Sequence, residues 1–208
     1  MFISFEGLDF SGKSTQAKLL VEQLRQQRHT VHFIREPGGT VISEKIRDIL
    51  LDKNHLEMSD AAEILLFSAS RSQLVQQVIA PALQRGDVVV CDRYCDSTTA
   101  YQGYGRGLGL EDVQTINRFA TGGTMPDLTI LVDIPIEEIE RRKTKAGLTF
   151  DRMESAGRAF YERVRQGYHQ LAADDPGRWF RVDGMLSIET IQKEIRKAVE
   201  KKSAALAR

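Results

Sequence analysis

The chain is poor in cysteine, has no excess of either charge and contains no long apolar run, and each shortage removes a class of function. Its only cysteines, Cys91 and Cys95, cannot complete a zinc site. His29, His32, His55 and His169 are too scattered to help, so no structural metal is expected. Two reduced thiols suit a cytoplasmic location. Lys+Arg and Asp+Glu both total 29, so no global field draws the chain to nucleic acid or an anionic membrane, and any anion site has to be built locally. No run approaches the roughly 18 apolar residues of a membrane span. The opening MFISFEG has neither the basic nor the apolar region of a secretory signal. At 208 residues one well-buried domain over 1–208 is expected, with a frayed tail from Lys201 to Arg208.

What is present is an alternation of short apolar runs with helically spaced stretches. The runs are Phe2–Phe5, Thr30–Ile34, Val88–Cys91, Leu128–Val132 and Trp179–Val182. Nearly continuous apolar strands separated by helices imply a parallel sheet covered on both faces, joined by right-handed crossovers. The expected class is therefore α/β, three-layered, with a five-stranded parallel sheet. Helices are expected over Gln16–Gln26 and Ser155–Ala173, and Ile136–Lys145 begins a second region of interest. Another should run over Ser59–Gln84, capped by Ser59 or Asp60 and kinked or shortened by Pro81.

The segment FEGLDFSGKST, Phe5 to Thr15, carries G-x-x-x-x-G-K-[ST] at Gly7, Gly12, Lys13 and Ser14. It follows an expected strand and opens an expected helix, as a phosphate cradle requires. Glycines let successive N–H groups of Gly7, Leu8, Asp9, Phe10, Ser11, Gly12, Lys13, Ser14 and Thr15 converge on phosphate oxygens, aided by the helix N-terminus. Lys13 supplies a point charge and the Ser14 hydroxyl a ligand for Mg²⁺. This is a nucleoside triphosphate site. Asp9, a carboxylate inside an anion cradle, needs a separate explanation; it is either a residue facing solvent or one with another partner.

The third strand ends in Asp92-Arg93. Asp92 at a strand's carboxyl end can hold Mg²⁺ or its waters, whereas an arginine beside it calls for a second phosphate. Further residues fit a second anionic substrate. They are Glu36 and Pro37 in the loop REPGGT, Arg47 on the next helix, Phe67 and Arg71 four apart, and Thr98, Tyr101 and Gln102 on one helical face. Singly, each has an ordinary structural reading; together at one sheet edge they form a site. The basic stretch Glu140–Glu154 follows the fourth strand and suits a lid, with Arg142 and Arg152, or Arg141, as its arginines toward the transferring group. No N-K-x-D base reader of GTPase switches occurs.

In this order and spacing, FEGLDFSGKST, REPGGT, FSASRSQL, DRYCDSTTAYQGYGRGL and PDLTILVD resemble the thymidylate kinase (dTMP kinase) family of P-loop nucleoside monophosphate kinases. The resemblance implies ATP-dependent, Mg²⁺-assisted phosphorylation of dTMP to dTDP, for dTTP synthesis. It implies that Arg71 donates to a thymine carbonyl, Phe67 stacks on the ring, and Thr98 and Gln102 meet the base edge. Tyr101 would crowd the position of a ribose 2′-hydroxyl, Arg47 and Arg93 would hold the acceptor phosphate, and Asp9 would face the acceptor or one of those arginines. It also implies a homodimer. Phe10 departs from the family, which more often has a small residue there. The alternatives are a deoxynucleoside kinase, with Glu36 as base, and a non-catalytic nucleotide-binding P-loop protein.

Overall fold

The computed structural model describes residues 1–146 and 157–206. A parallel sheet is built from β1 (Phe2–Glu6), β2 (Val31–Arg35), β3 (Val88–Asp92), β4 (Leu128–Asp133) and β5 (Trp179–Asp183), in the order β2-β3-β1-β4-β5. Each strand runs one residue beyond the apolar run that announced it, and each last residue is charged: Glu6, Arg35, Asp92, Asp133 and Asp183. The carboxyl edge of an apolar sheet is thus lined with charge, where α/β proteins place their ligands. Register sets β1 beside β3, with Phe5 opposite Asp92.

Helices α1 (Lys13–Gln26), α2 (Val41–Leu51), α3 (Asp60–Leu74), α4 (Ala80–Gln84), α5 (Cys95–Thr98), α6 (Leu110–Thr121), α7 (Ile136–Ala146), α8 (Arg158–Asp174) and α9 (Ile188–Leu206) cover the sheet. Strand alternation divides the core between its two faces. Ile3, Phe5, Val88, Val90, Ile130 and Val132 pack with Leu20 and Leu24 of α1 and Ile191 and Ile195 of α9. Phe2, Val89 and Cys91 pack with Leu74, Val75 and Ile79 on the other face. Leu131 joins Phe160, Val164 and Tyr168 of α8 there.

Several boundaries differ from the sequence reading. Helix α1 starts at Lys13, directly on the P-loop. The long helix is capped by Ser59, whose Oγ accepts from Ala62 N at 3.2 Å. Pro81 does not end it: a π-helical turn, Val75–Ile79, bridges α3 and α4 just before the proline. A π turn widens the spiral where the ring removes a donor and crowds the preceding turn. The tail expected to fray from Lys201 is helical through Leu206, and Lys202 Nζ donates to Gly177 O at 3.1 Å. Of the expected lid, residues 140–146 belong to α7, while 147–154, Arg152 included, lie outside the described residues, as do 155 and 156.

Candidate active site

The P-loop leaves β1 at Gly7, whose φ is 136° and where a Cβ would stand 2.5 Å from Val132 O. Only glycine fits there. Gly12, at φ 96°, turns the chain into α1. Between them Leu8 is buried in the core, and Phe10 holds φ 64° while its ring packs on the α7–α8 side. Lys143 Nζ lies 5.9 Å from the Phe10 ring and 4.3 Å from that of Tyr161. Arg142 secures the loop: its Nη1 donates to Phe10 O (3.0 Å) and Ser11 O (3.2 Å), its Nη2 to Gly184 O (3.1 Å) and its Nε to Glu138 (2.6 Å). Arg141 is held by the same Glu138. Thr15 is exposed, whereas Lys13 is buried at 6% exposure.

A cavity of about 270 Å³ opens beside Lys13 and Ser14 under the carboxyl ends of β1, β2 and β3. Every residue assigned from sequence to the acceptor lines it: Asp9, Glu36, Pro37, Arg47, Phe67, Arg71, Arg93, Thr98, Tyr101 and Gln102. Asp92 lines it too, and its Oδ1 is buried without a hydrogen-bond partner among the described residues. A bare carboxylate oxygen and the Ser14 hydroxyl lining one cavity are donors of the type that fit a hard divalent cation such as Mg²⁺.

Asp9 has its explanation here. Arg93 Nη2 donates to Asp9 Oδ1 at 2.5 Å, Tyr101 OH donates to Oδ2 at 3.1 Å, and Lys13 Nζ lies 3.7 Å away. Burial alone would raise the Asp9 carboxyl. The charges of Arg93 and Lys13, with the Arg93 and Tyr101 hydrogen bonds, outweigh it and hold the group well below the usual carboxylate range. Arg93, at φ 73°, also gives Nη1 to Ser97 Oγ (3.1 Å) and Tyr168 OH (3.2 Å), and Nη2 to Tyr101 OH (3.0 Å). All four of its Nη hydrogens meet protein acceptors, so gripping a phosphate requires exchanging some of these bonds. Burial, then the Arg93 charge, lowers the Lys13 ammonium, against Asp9, Asp92 and Glu6.

Arg71 lies at the inner wall, 1% exposed. Its Nε donates to Glu36 (2.7 Å), Nη1 to Asn117 Oδ1 (3.0 Å), and Nη2 to Thr98 Oγ1 (2.9 Å) and Tyr94 O (3.3 Å). Asn117 is held in turn through its Nδ2 to Cys95 O and Thr99 Oγ1. Phe67 stands half-buried one turn earlier on α3. Arg47 Nη1 donates to Pro37 O at 2.9 Å, fastening α2 to the loop whose Glu36–Pro37 peptide is cis. Burial pushes the Glu36 carboxyl up to about 7, even against the Arg71 charge. Thr98, Tyr101 and Gln102 reach one cavity because α5 continues into a second π-helical turn, Thr99–Gly105.

Sequence reasoning missed Glu6, Ser97, Tyr168, Asn117 and Glu63. Glu6 is fully buried under the P-loop, accepting from Tyr94 N (2.8 Å), Ser97 Oγ (2.5 Å) and Tyr168 OH (3.0 Å). Burial, then the charge of Asp96, pushes it up to about 7. An acid closing the buried strand FISFE was the available signal; Asn117 and Tyr168 sit on helices far away in sequence, while Ser97 and Glu63, four residues from Arg93 and Phe67, carried no mark of their own.

A family model described as thymidylate kinase matches residues 5–195. The chain is 47% identical over 200 residues to a thymidylate kinase of Caldanaerobacter subterraneus subsp. tengcongensis, covering 96% of this chain and 94% of that protein. It is 45% identical over 219 residues to a thymidylate kinase of Roseiflexus sp., covering 100% and 97%. A crystal structure of thymidylate kinase from Ehrlichia chaffeensis superposes with a TM-score of 0.76 at 32% identity, covering 96% of this chain and 98% of that one.

Proposed function

The chain belongs to the thymidylate kinase family; it phosphorylates dTMP with ATP, giving dTDP and ADP, and we propose that it does so in the cavity beside Lys13. The observation that carries this assignment is the buried Arg71, caged by Glu36, Asn117 and Thr98 with Phe67 one turn away. An aromatic face accepts any base, while a fixed donor selects a carbonyl edge. Thymine against Phe67, with O4 toward Arg71 and Thr98 and Gln102 at the same edge, leaves Tyr101 beside the deoxyribose. The acceptor phosphate then points at Asp9, Arg93, Arg47 and Lys13.

The P-loop amides and Lys13 hold the ATP phosphates, Lys13 gaining strength as an electrostatic partner from its burial. Ser14 and Asp92 would hold Mg²⁺, which when bound neutralises phosphate charge. The acceptor phosphate is already ionised, so the residues need only position it and exclude water. Asp9 remains a carboxylate and aims Arg93. Arg142 supports the P-loop carbonyls from the α7 side; the lid charge for the transferring group is assigned to Arg142 and Arg152, with Arg141 as the further candidate.

We take residues 1–208 as one P-loop kinase domain, cytoplasmic and homodimeric. Among the described residues no helix is long and apolar enough to cross a membrane. The dimer reading is supported by Val41 (75% exposed) and Ile42 on α2, Leu65 on α3 and Phe119 (88% exposed) on α6, helices that pack on one another. The direct test is turnover of each nucleoside monophosphate, and of thymidine, with Mg-ATP. Preferred turnover of dTMP is expected; faster turnover of thymidine would move the acceptor assignment to a deoxynucleoside.

A further inference from the structure

Nothing in the proposed transfer reaction calls for a carboxylate beside the base edge, yet Glu63, in the first turn of α3, is buried there at 0% exposure. Its Oε1 accepts from Gln102 Nε2 at 2.9 Å and Arg106 Nε at 3.3 Å, and its Oε2 accepts from Arg106 Nη2 at 3.1 Å. Asp60 also meets Arg106 Nε at 3.3 Å.

A carboxylate paired with a guanidinium can only accept hydrogen bonds. The two ends of a glutamine carboxamide are nearly identical in shape and opposite in hydrogen-bonding character, so neighbours decide which way it sits. Beside Glu63 only the NH₂ end of Gln102 is tolerated. The carbonyl end is left for the cavity that Gln102 lines with Thr98 and Arg71. Of the five N–H bonds of Arg71, four meet Glu36, Asn117, Tyr94 O and Thr98, which among the described residues leaves one donor for a ligand.

We propose that Glu63 is a specificity-determining positioning residue: by fixing the Gln102 carboxamide it sets an acceptor beside the Arg71 donor, matching a pyrimidine with N3–H and a 4-oxo group and refusing one with a bare N3 and a 4-amino group. This rests on the reading that Gln102 faces the base. A uracil edge is accepted as readily as thymine; a cytosine edge meets acceptor with acceptor and donor with donor. Such mismatches discriminate because buried polar groups are left unpaired.

The test is E63Q, assayed with dTMP and dCMP. Arg106 retains an oxygen at position 63, so the new amide nitrogen turns toward Gln102, which rotates and offers its own NH₂ to the base. The dTMP-over-dCMP ratio of kcat/KM is expected to fall about tenfold, through KM, with the KM for ATP unmoved. Q102L is expected to lower the ratio as well, and the E63Q/Q102L pair to add little beyond Q102L, since one residue acts through the other. E63D keeps an acceptor-only group and is expected to keep the preference, which carries the test should E63Q not fold. A ratio unchanged in folded E63Q, or lost in E63D, overturns the role of Glu63. A ratio unchanged in Q102L overturns instead the underlying placement of the base.

Discussion

Arg93 and Asp9 form an ion pair that ties the end of β3 to the P-loop, with Tyr101 bonded to both. It explains an acid inside a phosphate cradle: Asp9 faces a guanidinium on the acceptor side. Asp9→Asn keeps the shape and removes the charge. The expected result is a folded protein whose kcat falls about a hundredfold, because Arg93 is no longer aimed. Steady-state kinetics with dTMP and ATP check it; an unchanged kcat would show that the pair is only structural.

Arg71 carries both binding and stability. Arg71→Ala leaves Glu36 buried and unpaired, which for a broken buried pair costs about 3–5 kcal/mol. A lowered Tm is expected, together with a KM for dTMP raised far more than that for ATP. Adding Glu36→Gln should return part of the Tm without returning dTMP affinity. Calorimetry and kinetics on both variants separate the two effects.

Glu6 makes stability pH-dependent. Its folded value is raised, chiefly by burial, from 4.5 to about 7. Between those values the folded state therefore holds a proton that the unfolded chain has lost. Its contribution to stability is greatest below 4.5 and declines as pH rises toward about 7. Glu6→Gln should flatten that part of the Tm-versus-pH curve; an unaltered curve would contradict the assignment.

The exposed Phe119 ring and its neighbours on α2 and α3 predict a homodimer. Phe119→Asp is expected to yield a monomer by sedimentation velocity, with the fold retained. A parent protein already monomeric at micromolar concentration would refute the dimer.

The strands and the P-loop were legible because both are local. Apolar runs such as VVVC and LTILV state their burial, and Gly7 and Gly12 state their backbone freedom. The two π-helical turns were not, since a one-residue widening of a helix leaves no periodic mark. Thr98, Tyr101 and Gln102, grouped by helical spacing, line one cavity although the backbone carrying them is partly π-helical. Nor could the sequence show how fully Arg93 and Arg71 are engaged. Their partners Tyr168 and Asn117 come from α8 and α6, 75 and 46 residues away. Arg142 illustrates the same limit: it was read as a lid arginine, and its bonds to the P-loop carbonyls of Phe10 and Ser11 left no mark in the sequence.

The central claim is that thymidylate and ATP meet through their phosphates in this one cavity. The most direct measurement is a crystal structure with dTMP and a non-hydrolysable ATP analogue bound together. The account predicts the thymine ring against Phe67 with O4 on Arg71, and the two phosphate chains facing each other beside Lys13. A pyrimidine bound outside the cavity, or reversed with its base at the P-loop, would contradict it.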